Sequence, residues 1–198
     1  MSIRNYAELQ ASIAGWLKRS NLTERIPDFI TLAEAALNRQ LRVRQMTAYY
    51  SRSTDQSMIA LPDDFLEAEK IQLDGMTLTY LDRYAADSDT LSTSGHDRRY
   101  TMVGQSIWLL TRVEKMSRFG MWYYQRITPL SDEEPQNWLI EDAPDAYLYG
   151  ALLQAEPYLK NDARVATWGQ LYGDVLTAMG VTSTRARTQG SALVMRSA

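Results

Sequence analysis

NWLIEDAPDAYLYGALLQAEPYLKNDARVATWGQLYGDVLTAMG, residues 137–180, is the stretch that decides the fold. Its apolar and aromatic side chains recur at helical spacing, so it reads as two amphipathic helices joined by a short break. The first begins at Pro144, because a proline at the first helical position forfeits no intrahelical hydrogen bond. Asp145 then sits in the first turn, near the positive end of the helix dipole. Tyr147, Leu148, Ala151, Leu152 and Ala155 make its buried stripe, and Pro157 lies near its end, where a helix interior would not tolerate it. The second helix opens at Asn161 or Asp162 and carries Val165, Trp168, Leu171, Tyr172, Val175, Leu176 and Met179, with Gly180 expected to stop it.

Such a hairpin needs a partner surface, and residues 1–46 supply one. Asn5, with Glu8 three residues on, forms an N-cap and capping-box pair ahead of a helix from Tyr6 to about Arg19, whose apolar face is Leu9, Ile13, Trp16 and Leu17. After Ser20-Asn21, Thr23 and Pro27 start a second helix with the stripe Ile26, Phe29, Ile30, Ala33, Leu37 and Leu41, ending near Arg44. The predicted bundle core is therefore Trp16, Ile26, Phe29, Leu37, Leu148, Leu152, Trp168, Leu171 and Tyr172. Arg25, Arg39, Arg42 and Arg44 fall on the opposite face of the second helix, as solvated charges or as contacts to an acidic neighbour.

Residues 47–136 change character to short β-prone runs. Residues 47–54 and 58–61 flank the polar turn Asp55-Gln56-Ser57 and predict a hairpin. Residues 67–73, the turn dipeptide Asp74-Gly75 and residues 76–80 predict a second. Residues 81–86 read as a helical turn and 87–99 as an exposed polar loop. A third hairpin runs through 100–103, Gly104-Gln105 and 106–111, and residues 120–127 form the last strand. Helices, then strands, then helices imply an α+β fold, with the terminal helices packed as a bundle and an antiparallel β layer of hairpins inserted between them. Residues 181–198 have too little to bury and are expected to form an extended, flexible C-terminal tail.

A chain of 198 residues is long enough to bury a core without staples. At 45% hydrophobic and 23% charged residues, neither disorder nor a membrane class is favoured, and no run approaches the length of a membrane span. MSIRNYAELQ lacks the apolar core of a secretory signal. With no cysteine there is neither a disulfide nor a thiolate metal site, which suits a reducing cytoplasm. The net charge of −3 conceals a division: residues 1–46 and 181–198 are each +3, leaving −9 in between. That distribution disfavours phosphate binding by the body, whereas an acidic wall would repel a passing duplex.

Catalytic constellations are not apparent. His96, the lone histidine, stands in the polar loop without a serine or cysteine motif around it. Asp87-Ser88-Asp89 lacks the glycine and closing glutamate of a calcium loop. The pairs Glu133-Glu134 and Glu141-Asp142 read as acids near a helix start rather than as a glycosidase pair. The cluster Trp122-Tyr123-Tyr124 is expected to place Trp122 and Tyr124 on one strand face and Tyr123 on the other, one face in the core and one at a subunit interface.

Several segments together carry a family resemblance. Trp16-Leu17, Ile26-Pro27-Asp28-Phe29-Ile30, Ala33-Glu34, Leu37-Asn38-Arg39 and Leu41-Arg42 come first. Trp122-Tyr123-Tyr124 and Pro129-Leu130-Ser131-Asp132 follow, then Asn137-Trp138-Leu139, Ala143-Pro144-Asp145, Tyr147-Leu148-Tyr149 and Tyr158-Leu159-Lys160. In this order, over most of residues 6–180, the chain resembles the head-to-tail adaptor proteins of short-tailed and related bacteriophages. The resemblance implies a virion structural protein at the head–tail junction, made in the host cytoplasm. It implies a dodecameric ring between the portal protein and the tail nozzle or another tail protein, with DNA passing through the channel without specific binding. No cofactor, metal, membrane or enzymatic activity is expected. Another neck or tail-completion protein is the alternative, and a wall-degrading virion enzyme a more distant one. In the tail, Arg185, Arg187 and Arg196, with the apolar cluster Leu193-Val194-Met195, are the candidates for docking on an acidic portal surface.

Overall fold

The computed structural model describes residues 3–82, 98–114, 116–159 and 163–188. The fold is α+β, and the chain divides into two units, one of Met1–Gln45 with Ile127–Ala198 and one of Met46–Arg126. The described residues hold five α-helices and eight strands.

The first unit is helical. α1 (Tyr6–Leu17) starts at Asn5, whose side chain accepts a hydrogen bond from the Glu8 N–H at 2.9 Å. The Glu8 carboxylate in turn accepts from the Arg4 N–H at 2.8 Å, one residue further back than a capping box requires. Lys18 ends the helix in the left-handed region. A 3₁₀ segment, Ser20–Arg25, leads into α2 (Ile26–Gln40), which stops four residues before the predicted Arg44. α3 (Trp138–Asp142) is a short helix capped by the Asn137 side chain, which accepts from both Leu139 and Ile140 N–H. α4 (Pro144–Gln154) opens at the proline as the sequence predicts, and Pro157 falls in a 3₁₀ turn, Glu156–Tyr158.

α5 (Arg164–Thr188) corrects one expectation: Gly180 does not stop it, and the helix continues for eight residues into the segment read as a tail. One interior glycine costs a helix only about 1 kcal/mol relative to alanine. The extra turns also bury Ser183, whose hydroxyl accepts the Arg44 N–H at 2.9 Å. Asn161 and Asp162 lie outside the described residues.

The second unit is two four-stranded sheets. In the first, β1 (Thr47–Thr54), β8 (Ser117–Gln125), β3 (Phe65–Leu73) and β4 (Met76–Thr77) lie in that order. In the second, the order is β2 (Met58–Ala60), β7 (Ser106–Leu109), β6 (Arg99–Val103) and β5 (Thr79–Tyr80). The β3–β4 hairpin turns where predicted, with Asp74 (φ 51°) and Gly75 (φ 78°) both in the left-handed region that a two-residue type I′ turn demands, but only Met76–Thr77 of the predicted second strand belongs to it: Thr79–Tyr80 passes to the other sheet and pairs parallel with β6, a departure from the all-antiparallel layer expected. β6 and β7 also pair as predicted, with Gly104 (φ 59°) first in the turn.

The hairpin predicted for residues 47–61 does not exist. β1 pairs with β8 and β2 pairs with β7, so the chain crosses from one sheet to the other at residues 55–57. β3 and β8 carry two register shifts, which explains why residues 67–73 alternate weakly in sequence. Facing side chains of the two sheets form one core, including Ile71, Phe119 and Met121 from the first and Ile59, Ile107 and Leu109 from the second. Of the stretch predicted as a helical turn and a polar loop, residues 83–97, including His96, Asp87 and Asp89, lie outside the described residues.

Candidate interaction surfaces

Six of the residues expected in the bundle core, Ile26, Phe29, Leu37, Leu148, Leu152 and Trp168, are almost wholly buried, and Tyr172 is 9% exposed. Trp16 departs from the expectation at 43% exposed. The buried stripe of α1 runs through Tyr6, Leu9, Ile13 and Leu17, and Trp16 projects roughly 60° round the helix from its centre. Its ring meets Tyr149 edge-on, with centroids 5.9 Å apart. Leu171 is only half-buried, as are Val165, Val175, Leu176 and Met179 on the same helix. The apolar stripe of α5 is thus covered at Trp168 and Tyr172 and partly open along the rest of its length.

That opening is a groove of about 600 Å³ within the helical unit. Val43, Val175, Ala178 and Met179 give it apolar walls. Asp142, Asp145 and Asp174 stand around it, all exposed, with Arg44 the one basic residue of the lining. The Asp142 carboxylate accepts from the Gln45 amide at 3.1 Å and Asp145 from the Ala146 N–H at 3.0 Å. No ion pair neutralises Asp145 or Asp174 among the described residues. Arg185 and Arg187 are exposed on the last turn and a half of α5, while Leu193, Val194, Met195 and Arg196 lie outside the described residues.

Behind these surfaces is a buried polar junction. Glu34, 6% exposed on α2, accepts the Leu130 N–H at 2.8 Å and the Tyr147 hydroxyl at 3.1 Å on one carboxylate oxygen. The Tyr147 oxygen also accepts from the Asn137 amide at 2.7 Å, and that amide donates to the Thr128 carbonyl at 2.6 Å. The junction therefore ties α2, the 128–130 connection, the cap of α3 and the body of α4 together. Burial raises the Glu34 pKa, against the opposing pull of the two donors. Burial, with the Glu34 carboxylate beside it, drives the Tyr147 hydroxyl well above its ordinary value. A signal for Glu34 was present in the sequence: it is an acid in step with Ile30 and Leu37 on an otherwise apolar stripe.

The β unit offers an aromatic face. On β8, Phe119, Met121 and Tyr123 turn to the core, while Trp122 is 43% exposed on the other side. Tyr49, directly opposite it on β1 and also exposed, packs its ring against Trp122 at 4.7 Å between centroids. The Tyr49 ring leans over Gly120, where an added Cβ would come within 2.6 Å of its hydroxyl. Glycine at this position leaves room for the Tyr49 ring to approach the strand. Tyr124, on the same strand side as Trp122, is 8% exposed.

No helix of the described residues is long and apolar enough to cross a membrane, and no cluster of three or more metal-ligating side chains occurs among them. Comparison with curated proteins finds no match. A family model described as SU10 adaptor protein, however, matches residues 4–196, nearly the whole chain, spanning both the helical and the β unit. The chain belongs to the SU10 adaptor proteins, a family of phage head-to-tail adaptors, and is thus a virion component.

Proposed function

We propose that this adaptor forms a ring between the portal and the tail nozzle, extends the channel through which DNA passes, and works by contact rather than by catalysis. The family match over residues 4–196 carries the reading. Exposed clustered aromatics support it, because contiguous apolar surface on a folded chain marks a place where another protein sits. In this account Tyr49 and Trp122 meet a neighbouring subunit of the ring, and residues 87–99 meet the next tail component. The ring is dodecameric, as the resemblance of the sequence implies.

Residues 181–198 dock on the portal. Arg185, Arg187 and Arg196 pair with portal carboxylates through their planar, two-pronged donors, and Leu193-Val194-Met195 fills an apolar pocket. The test is a truncation after Thr188 combined with Arg185→Gln and Arg187→Gln, since a cut at Gly180 would also remove Ser183 and its bond to the Arg44 backbone. The shortened protein is expected to keep the parent melting temperature and to lose attachment to portal-bearing heads. Unchanged attachment would place the portal contact on the helical body instead.

A further inference from the structure

The face of the second sheet that points away from the core carries an apolar pair of its own. Ile59 and Ile107 turn inward, so their neighbours Met58 and Trp108, paired across β2 and β7, turn outward, where they are 56% and 45% exposed. Ala60 and Ser106 form the next pair on that side, a low shelf beside the ridge of Met58 and Trp108. The outward positions of these two strands hold no charge, whereas a sheet face left to water is normally polar.

The first sheet presents Tyr49 and Trp122 on its own outer face, 46% and 43% exposed. The two sheets pack around one core, so the two patches look in opposite directions from a single sandwich. We propose that they meet each other between copies: the Tyr49 and Trp122 face of one subunit lies on the Met58 and Trp108 face of the next, and the sandwiches stack front to back around the ring.

This rests on the ring reading above, and ring geometry selects the occupant. A closed ring is built from heterologous contacts, in which each subunit offers two different surfaces. In a dodecameric ring those surfaces point about 150° apart, and the outer faces of a sandwich, about 180° apart, come within a small wedge of that angle. A patch on one face alone would pair with its own kind and stop at a dimer. Area points the same way. The four side chains expose roughly 400 Å² between them, at about 200 Å² for a large side chain, against about 1,200 Å² buried in a small stable interface. Such a contact does not hold a free dimer together, but it closes once a template sets subunits side by side and makes it effectively intramolecular.

The chain has no native cysteine, so the contact can be trapped. Ser51→Cys and Ala60→Cys place thiols at exposed positions two residues along from Tyr49 and Met58, on the same outward sides. Within one subunit they lie on opposite faces of the sandwich, out of reach of a short thiol-to-thiol cross-linker. The doubly substituted protein is assembled on purified portal, treated with that cross-linker and separated under denaturing conditions. A ladder of covalent multiples extending to the full ring is expected, with each single variant staying at monomer mass. Adding Trp108→Glu should abolish the ladder with the melting temperature unchanged, and Met58→Glu gives the same reading where the tryptophan variant does not fold. Dimers from either single variant would overturn the proposal, because like faces would then be meeting. So would a ladder indifferent to Trp108→Glu and Met58→Glu, or portal-bound rings, seen by sedimentation, that yield no ladder. If the parent forms no ring on the portal, the ring reading falls and takes this contact with it.

Discussion

Replacing Glu34 tests the junction that holds the helical unit together. Its carboxylate accepts the Leu130 N–H and the Tyr147 hydroxyl in a site that is 6% exposed. Hydrogen bonds to an ionised group contribute about 1.5–3 kcal/mol each, and a buried donor left without an acceptor costs about 1–3 kcal/mol. Glu34→Ala removes both bonds and leaves a cavity, offset by no longer burying a charge. The expected net loss is about 2–4 kcal/mol. Glu34→Gln keeps an oxygen able to accept from both donors, so it should change stability by no more than about 1 kcal/mol. Urea unfolding followed by tryptophan fluorescence measures both variants, with an unchanged slope confirming that the same structure unfolds. The pH dependence gives a second reading. The folded-state pKa of Glu34 is raised, so its favourable contribution is fully present below the unfolded value and is lost as pH rises through the folded one. The parent should therefore gain on Glu34→Gln as pH falls from neutrality through that window. A loss below about 0.5 kcal/mol for Glu34→Ala would refute the reasoning, as would a gap between parent and Glu34→Gln that ignores pH.

Three other outcomes are expected. Trp168→Ala, at a site 2% exposed beneath Arg164, should cost about 3–5 kcal/mol in the same unfolding assay, and an unchanged melting temperature would contradict its burial. Tyr172→Phe should be neutral or stabilising by up to about 1 kcal/mol, because the buried Tyr172 hydroxyl has no hydrogen-bond partner among the described residues. Gly120→Val should displace the Tyr49 ring from Trp122, read as a change in near-ultraviolet circular dichroism with the sheet signal retained, and an unchanged aromatic spectrum would refute the close approach.

The sequence showed most clearly what local chemistry decides. Pro144 starts its helix, Asn5 caps another, and Asp74-Gly75 and Gly104 make their turns, because each depends on a few neighbouring residues. Pairing between distant strands was not legible. Residues 47–54 and 58–60 look like a hairpin because a polar turn separates them, yet each finds its partner some fifty to seventy positions away. Gly180 read as a stop because the anchor for the turns beyond it, the bond between Ser183 and the Arg44 backbone, joins segments far apart in the chain. Trp16 read as core because periodicity gives the side of a helix but not the width of the surface that covers it. The groove was hidden because its carboxylates come from two segments, Asp142 and Asp145 in one and Asp174 in the other, and only the fold brings them together.

The central claim is that this chain joins head to tail by assembling on the portal. Sedimentation velocity of the purified protein, alone and with purified portal, tests it most directly. Alone, the protein should sediment as a monomer at micromolar concentration; with portal, it should shift into a complex whose mass corresponds to a full ring of adaptors on the portal. Stable rings without any partner, or a protein that stays monomeric in the presence of portal, would contradict the account.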